Sequence, residues 1–493
     1  MESRQWIDEH NHIHINDERL GAGGQGVVYR TLDPNIALKL VTDQNGNPVT
    51  NRDACERYRK KFKQVQLLPL PQGIRVALPS ALLKGYAGYV MTLLTEMVPF
   101  SHFWLGEKAA RRIRAEDIPA WLDEMPEEQA KHLMHYANTG GLKRRLTALA
   151  RCADVLSRLH VAGLVYGDIS PNNVFLSSDP SSSEVWLIDA DNLRYDPDPR
   201  GSSVYTPGYG APEVMQERDR TRFRSDCHAF AVLAFRMLTF NHPFLGDYVK
   251  GGDWADDEGD PSGTREERAY AGLIPWIYEA DDDSNRTEDG LPAELVLTEP
   301  LVALFDETFG AGRTQFWRRP SIFHWPEALA AAADETIECS ACRMSWYMDK
   351  HGSRCPYCDT AAPPHLAVRV YSWDGGAIDE GSPEWTYFSR LPSVDDQLAL
   401  PERLFKPFDG EHGFRTAVTL TMDERSIVLK AEDPGSLELY VAFPNERGEQ
   451  FQRIHSSVQL PADVRRTGFW LASGGVEPRV ISFGITMEED AWS

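Results

Sequence analysis

The sequence predicts a multidomain α+β protein with a mixed N-terminal region, a small cysteine module and an all-β, sandwich-like C-terminal domain. Three observations predict it. Short strands broken by turns fill residues 15–95, and strong helical patterns follow at 140–160 and 226–240. Two Cys-x-x-Cys pairs stand close together between Cys339 and Cys358. From Leu366 onward, β-rich segments alternate with Gly, Pro, Asp and Asn.

The 493 residues suffice for two to four domains of roughly 100–200 residues. A hydrophobic content of 42% and a charged content of 25% suit a chain with a real core. With 13 Trp, 17 Tyr and 21 Phe, most of the length is too aromatic to stay solvated. The 51 Lys+Arg against 74 Asp+Glu leave a net charge of −23, which argues against a nucleic-acid partner. The first twenty residues are polar, and no run of about 18 apolar residues occurs, so no membrane partner and a cytoplasmic location are expected. Seven cysteines do not pair off into a disulfide framework.

The elements follow in order. Gly21-Ala-Gly23-Gly-Gln-Gly26 precedes Val27-Val-Tyr29, which reads as a strand, so the glycines sit in a hairpin. A dinucleotide fold would place a helix there instead. Ile36-Ala-Leu-Lys39 is a short strand ending in a lysine. Thr50-x-x-Asp53 resembles a capping box opening a basic helix over residues 51–65, with Cys55, Tyr58, Phe62 and Val65 on one face. Its Arg52, Arg57, Arg59, Lys60, Lys61 and Lys63 read as a solvated face or as a dock for an acidic insert of the chain or for a phosphorylated partner. Leu142, Leu146, Leu149, Ala150, Ala153, Leu156 and Leu159 recur at helical spacing, and Gly163 is the expected stop.

Asp168 and Asn173 stand five residues apart in Tyr-Gly-Asp168-Ile-Ser-Pro-Asn-Asn173. That spacing suits one loop offering a carboxylate to a hydroxyl and an amide to a hard cation. Val185-Trp-Leu-Ile-Asp189 is an apolar strand ending in a second carboxylate. Tyr205-Thr-Pro-Gly-Tyr-Gly-Ala-Pro-Glu213, Asp226 and Arg318-Arg319-Pro320 come next, in that order. Residues 241–300 hold 16 Asp+Glu against 4 Lys+Arg, a net of −12, so half the excess charge sits in one acidic insert. Glu327–Asp334 closes the region as an alanine-rich helix.

These motifs, in this order, resemble a eukaryotic-type Ser/Thr protein kinase domain in a chain of bacterial composition. The resemblance implies a bilobal kinase-like fold over residues 1–330. It puts the N-lobe at about 12–91 and the C-lobe at about 95–330, with the insert at 247–299. It also implies roles. Gly21, Gly23 and Gly26 would cover the phosphates of ATP, with Val28 and Ala37 also on the nucleotide. Lys39 would contact the phosphates and Glu56 would hold Lys39, unless Glu56 is only a solvated helix carboxylate. Met91 would be the gatekeeper, with Thr92 and Leu94 in the hinge. Asp168 would be the catalytic base, and Asn173 and Asp189 the Mg²⁺ ligands. Glu213 would pair with Arg319, and Asp226 would brace the catalytic loop. A protein substrate is implied. The architecture further resembles kinases of bacterial stress systems that work with a von Willebrand A-type protein and a PP2C-type phosphatase.

Three departures carry consequences. Gly167 replaces the arginine before the base, so activity is expected not to need a phosphorylated activation loop. Asp189-Ala-Asp191 keeps the metal ligand but lacks the usual aromatic and glycine. Ser170 replaces the lysine two residues past the base, removing a positive charge. A pseudokinase scaffold acting through the C-terminal modules is the competing reading, and a small-molecule kinase is a third.

Cys339-x2-Cys342-x12-Cys355-x2-Cys358 resembles a zinc ribbon over 336–361. Four thiolates leave no open position, so the Zn²⁺ would be structural; a redox dithiol is the alternative. Cys55, Cys152 and Cys227 fall in apolar helical patterns and read as core. Ala361-Ala-Pro-Pro364 is the expected stiff linker to a β-rich regulatory or binding domain at 366–493.

Overall fold

The computed structural model describes residues 4–23, 26–180, 182–196, 205–251, 263–373, 381–393, 396–423, 426–443, 450–461, 463–475 and 477–487. The chain divides into two compact units. The first is built from residues 1–102, 151–290 and 302–323, the second from 103–150, 291–301 and 324–493.

In the first unit, six strands form an antiparallel sheet in the order β1-β2-β3-β4-β6-β5. They are β1 (Gln5–Ile7), β2 (Ile13–Gly23), β3 (Gly26–Thr31), β4 (Ile36–Leu40), β5 (Ala81–Leu82) and β6 (Gly88–Thr92). Gly23 pairs with Gly26, so the glycine motif is the β2–β3 hairpin, as its spacing predicts. Gly26 has φ +144°, and a Cβ there would run into the Leu40 carbonyl. Only glycine fits that close approach.

Helix α1 (Arg52–Gln66) packs on this sheet. Its cap is Asn51, whose side chain accepts from the Ala54 amide at 3.1 Å, so Thr50 is not the cap. Phe62 and Val65 are buried, and Cys55 and Tyr58 pack against a cluster that includes Ala37, Val41, Phe62, Leu82, Tyr89 and Met91. Arg59 and Lys63 both hold Glu9, at 2.8 and 2.9 Å. These two cations are therefore fastened to the chain's own N-terminal segment and do not form a dock.

The longer helices are α2 (Glu127–Asn138), in the second unit, α3 (Gly141–Val161) and α5 (Glu299–Phe309), whose residues are divided between the two units, and α4 (Phe223–Thr239), in the first. The predicted leucine face of α3 is buried throughout, and Gly163 follows with φ +77°. Cys152 and Cys227 are buried in α3 and α4, as core thiols should be. Phe235 of α4 touches the rings of Trp276, Tyr278, Phe305 and Phe309 at 5.2–6.0 Å. The apolar island of the acidic insert thus serves as core, because Trp276 and Ile277 are buried. Residues 252–262 of that insert lie outside the described residues. Two small antiparallel sheets complete the unit. One joins β7 (Met97–Pro99), β9 (Val174–Ser177) and β10 (Val185–Leu187); the other joins β8 (Leu164–Val165) and β11 (Arg194–Tyr195).

In the second unit, α6 (Trp325–Asp334) leads into β12 (Thr336–Glu338) and β13 (Ser345–Tyr347), an antiparallel pair. Two further antiparallel sheets follow, the sandwich-like β-rich region that the alternation predicts. The first runs in the order β15-β14-β23-β22-β19-β20, the second in the order β16-β17-β18-β21. The strands are β14 (His365–Ser372), β15 (Trp385–Arg390), β16 (Gln397–Pro401), β17 (Thr416–Met422), β18 (Ser426–Ala431), β19 (Leu439–Phe443), β20 (Gln450–Ile454), β21 (Ser457–Pro461), β22 (Phe469–Ser473) and β23 (Arg479–Thr486). In β14, Leu366, Val368 and Val370 are buried at every second position, the signature of a one-sided core.

The predicted linker does not span a gap. The Ala362 amide donates to the Ser353 carbonyl at 2.7 Å, and the Leu391 amide donates to the Pro364 carbonyl at 3.0 Å. A buried ion pair adds to this. Arg403 donates two bonds of 2.7 Å to Asp334, and the Trp385 indole donates to the same carboxylate at 2.8 Å. Residues 361–364 are therefore pinned, and the cysteine module and the β sheets share one compact unit.

Candidate active site and metal centre

Lys39 sits on β4 with its side chain buried, directly opposite Tyr89 on β6. The strand of Val185–Leu187 ends in Ile188, whose amide is tied to the Asn173 carbonyl at 2.9 Å. The chain then turns sharply: Asp189 is left-handed at φ 56°, and Ala190–Asn192 form one 3₁₀ turn. That turn aims two carboxylates at one ammonium. Lys39 donates to Asp189, and to Asp191 at 2.7 Å. The Tyr89 hydroxyl donates to the other oxygen of Asp191 at 2.7 Å.

The electrostatics follow from burial. Burial alone would lower the Lys39 pKa, but Asp191 and Asp189 overcome it and raise it. Burial raises the Asp189 carboxyl despite Lys39, and Asp191 adds repulsion. Burial also lifts the Tyr89 phenol well above its ordinary value, so it stays a donor.

The expected partner of Lys39 is not there. Glu56 is exposed on α1. Phe62 and Val65 fix the rotation of the helix by packing on the sheet, and the side chain that this rotation directs inward is Lys61. Its ammonium donates to Asn192 Oδ1 at 3.1 Å, and burial lowers its pKa. Two cations thus face two carboxylates, so the charge here is already matched without a carboxylate from α1.

Asp168 lies in the loop between β8 and β9. Asn173 donates to its backbone carbonyl at 2.9 Å and to Oδ2 at 3.2 Å. The Thr206 hydroxyl donates to Oδ1 at 2.9 Å. Burial raises the Asp168 pKa, and these two bonds pull against it. The amide nitrogen of Asn173 being spent on Asp168, its oxygen is left for a cation. With Asp189, it makes the hard oxygen set that Mg²⁺ takes, so these residues fit that ion.

Asp226, at the start of α4, accepts the Tyr166 and Gly167 amides at 2.8 and 2.9 Å, and His160 Nε2 lies 3.2 Å away. The loop that carries Asp168 is therefore latched from below. Gly167 adopts φ +87°, and a Cβ there would lie 3.4 Å from an Arg194 guanidinium nitrogen. Glu213 and the buried Arg319 form a bidentate pair, both bonds 2.7 Å.

The nucleotide-side residues fall along the same sheet. Val28 pairs with Lys39, and Ala37 pairs with Met91. Ala37 and Met91 are buried, Thr92 is exposed and Leu94 is half-buried. A Cβ on Gly21 or Gly23 would meet nothing within 4 Å. Sequence reasoning missed Tyr89, Lys61 and Thr206 as neighbours of the charged cluster. Tyr89 was findable only through the β4–β6 register. The activation-segment residues 197–204 lie outside the described residues.

In the second unit, the sulfurs of Cys339, Cys342, Cys355 and Cys358 all lie within 4.8 Å of one another. The pairs Cys339–Cys358 and Cys342–Cys355 are both 3.6 Å apart. A tetrahedral ion with bonds of about 2.3 Å places its sulfurs about 3.8 Å apart, so the four fit a Zn²⁺ ion. The two halves match locally. The residue after each second cysteine, Arg343 and Asp359, is left-handed at φ 62° and 57°. Trp346 and Tyr347 are buried beside the cluster; their N–H and O–H donate to the Gly352 and Val296 carbonyls at 3.0 and 2.9 Å.

Comparison with known proteins agrees with this geometry. Residues 121–258 match the family model of the protein kinase domain, a span that holds Asp168, Asn173, Asp189, Glu213 and Asp226 but not Lys39. Serine/threonine-protein kinase pkn2 of Myxococcus xanthus is 31% identical over 109 residues, 21% of this chain and 13% of that protein. The DNA damage-responsive serine/threonine-protein kinase RqkA of Deinococcus radiodurans is 27% identical over 235 residues, 46% of this chain and 30% of that protein. Human ribosomal protein S6 kinase alpha-2 is 35% identical over 99 residues, 20% of this chain and 13% of that protein. The matches thus span between 13% and 30% of these three relatives. The catalytic-loop geometry and the family match agree over residues 121–258, the stretch that is similar to a protein kinase domain.

Proposed function

We propose that the protein is an ATP-dependent protein kinase that transfers the γ-phosphoryl group of Mg-ATP to Ser/Thr hydroxyls of a protein substrate. The observation that carries this reading is the held Asp168. Its carboxylate is fixed by Asn173 and Thr206, and its loop is latched by Asp226. In this reading Asp168 accepts the proton of the acceptor hydroxyl. Lys39 binds the phosphates from the β4 side, and the β2–β3 hairpin excludes water above them. Asn173 and Asp189 would hold Mg²⁺, which would neutralise phosphate charge.

Thr206 supports a Ser/Thr acceptor, because its hydroxyl occupies one oxygen of the base from the substrate-platform side. Ser170 leaves one positive charge fewer beside the reacting phosphate, which implies a slow enzyme. Gly167 implies activity without activation-loop phosphorylation, and hence a non-RD type. Zn²⁺ on the four cysteines would hold the ribbon together and take no part in transfer. A cytoplasmic role in bacterial signalling or stress response fits the relatives, with a von Willebrand A-type protein and a PP2C-type phosphatase as partners. Functional boundaries at 1–330, 336–361 and 366–493 complete the reading.

The second reading, a pseudokinase scaffold, is favoured by the altered Asp189-Ala-Asp191 and by Ser170. Incubating the purified chain with Mg-ATP and mapping phosphosites by mass spectrometry separates the two. Transfer by the wild type, abolished in Asp168→Asn and Lys39→Met, is expected. A wild type that shows no nucleotide binding and no transfer would favour the scaffold.

A further inference from the structure

We propose that Asp191, anchored by Tyr89, is the carboxylate that positions Lys39 for the nucleotide phosphates, in place of a carboxylate from α1. The proposal rests on the kinase reading and deepens it.

Lys39 and Tyr89 are direct cross-strand neighbours on the face that looks toward the Asp189 turn. One carboxylate bridges both: Asp191 takes the ammonium on Oδ2 and the phenol on Oδ1, each at 2.7 Å. All three groups are buried, at 3% exposure for Lys39, 4% for Asp191 and 0% for Tyr89. In such a dry site a charge-assisted pair is strong and its geometry is fixed. Asp191 is fixed from the backbone side as well, because the 3₁₀ turn that carries it follows the left-handed Asp189.

Among the described residues, α1 offers no competing carboxylate. α1 presents Lys61 toward this turn, bonded to Asn192, and Glu56 is exposed. Bringing Glu56 inward would require rotating a helix whose Phe62 is packed in the sheet's cluster and whose Val65 is buried. It would also move Lys61 away from two carboxylates. The positioning group therefore travels with the metal-binding turn and not with the helix. Asp189 and Asp191 then divide the work: Asp189 would hold Mg²⁺, and Asp191 orients Lys39.

The test uses the full chain and five variants: Asp191→Asn, Asp191→Glu, Tyr89→Phe, Glu56→Gln and Lys39→Met. Mg-ATP binding is measured by calorimetry, and kcat and KM for ATP are measured separately. Losing a hydrogen bond to a charged group should cost about 10–100-fold in kcat/KM for Asp191→Asn. The loss should appear mainly in KM. Asp191→Glu should recover part of it, Tyr89→Phe should lose less than Asp191→Asn, and Glu56→Gln should stay within about twofold of wild type.

A second readout does not need activity. The rate at which an amine-acylating reagent labels Lys39, read by peptide mass spectrometry, should rise in Asp191→Asn and Tyr89→Phe and not in Glu56→Gln. Tyr89→Phe serves if Asp191→Asn fails to fold. A Glu56→Gln variant that loses as much as Asp191→Asn, or unchanged labelling in both Asp191→Asn and Tyr89→Phe, overturns the proposal. A wild type that neither binds Mg-ATP nor transfers phosphate sinks the kinase reading instead, and the labelling result still decides where Lys39 is held.

Discussion

Replacing Asp226 by Asn changes one atom and should unlatch the catalytic loop. The wild-type carboxylate is 1% exposed and accepts two backbone amides at 2.8 and 2.9 Å. An asparagine has one acceptor oxygen and one donor nitrogen at those positions. One amide keeps a neutral acceptor, and the other faces an NH₂ group with no lone pair to offer. A hydrogen bond to a charged group contributes about 1.5–3 kcal/mol, against about 1 for a neutral one. Losing one and weakening the other costs about 2–4 kcal/mol. For a unit of this size, each kcal/mol moves the melting temperature by about 2–4 °C, so a drop of about 5–15 °C is expected. The loop also carries Asp168, one residue past Gly167. Activity should therefore fall through kcat more than through KM for ATP. Thermal unfolding by near-UV circular dichroism, run beside a phosphorylation assay, reads both effects. A variant melting within about 1 °C of wild type with unchanged kcat would refute the argument that Asp226 holds this loop.

Metal analysis of the full chain should find about one Zn²⁺ per molecule. Cys355→Ser should lose the ion and lower stability, while Cys152→Ser, a core thiol, keeps it. Gly26→Ala should destabilise the β2–β3 hairpin by about 1–3 kcal/mol, because φ is +144° and the new methyl meets the Leu40 carbonyl. Gly21→Ala, with open space around it, should leave the melting temperature unchanged. Burial alone would raise the Asp8 carboxyl, but hydrogen bonds from His14 and the His12 and His10 amides carry it down to about 2. Its stabilisation is then complete above about pH 5 and is lost as the pH falls through 2. Asp8→Asn should flatten urea midpoints measured between pH 4 and pH 2, and an unchanged slope would count against the assignment.

What the chain reveals before folding depends on how local the determinant is. Asp168 and Asn173 are five residues apart on one loop, so spacing alone brings them together. Each Cys-x-x-Cys is a closed local turn, and only the meeting of the two turns needs the fold. The leucines of α3 repeat at 3.6 residues and are buried where the pattern puts them. Helix rotation is different. Glu56 stood at a plausible distance along the chain, but Phe62 and Val65 decided which side of α1 faces the cleft. Asp191 occupied a motif position usually held by glycine, and nothing local shows that a left-handed Asp189 turns it back onto Lys39. The Tyr89 contribution is a register effect across two strands separated by fifty residues. Charge alone marks residues 241–300 as an acidic insert, and nothing local shows that its Trp276 and Tyr278 pack on Phe235 as core.

The grip of Arg59 and Lys63 on Glu9 has a consequence for motion. Glu9 also accepts the Leu82 amide at 3.2 Å, and its own amide donates to the Leu82 carbonyl at 2.8 Å. One acidic residue thereby bolts the outer face of α1 to both the chain's beginning and the β5 edge. Helix and first strand should open and close as one cooperative unit, with matched amide-exchange rates across residues 5–9 and 52–66. Trimming the first nine residues would then loosen the helix from behind, and through Lys61 on Asn192 and Phe62 on Tyr89 that loosening would reach the turn that carries Asp191. A single residue at the rim, Glu9, thus bears on how firmly α1 backs the charged centre.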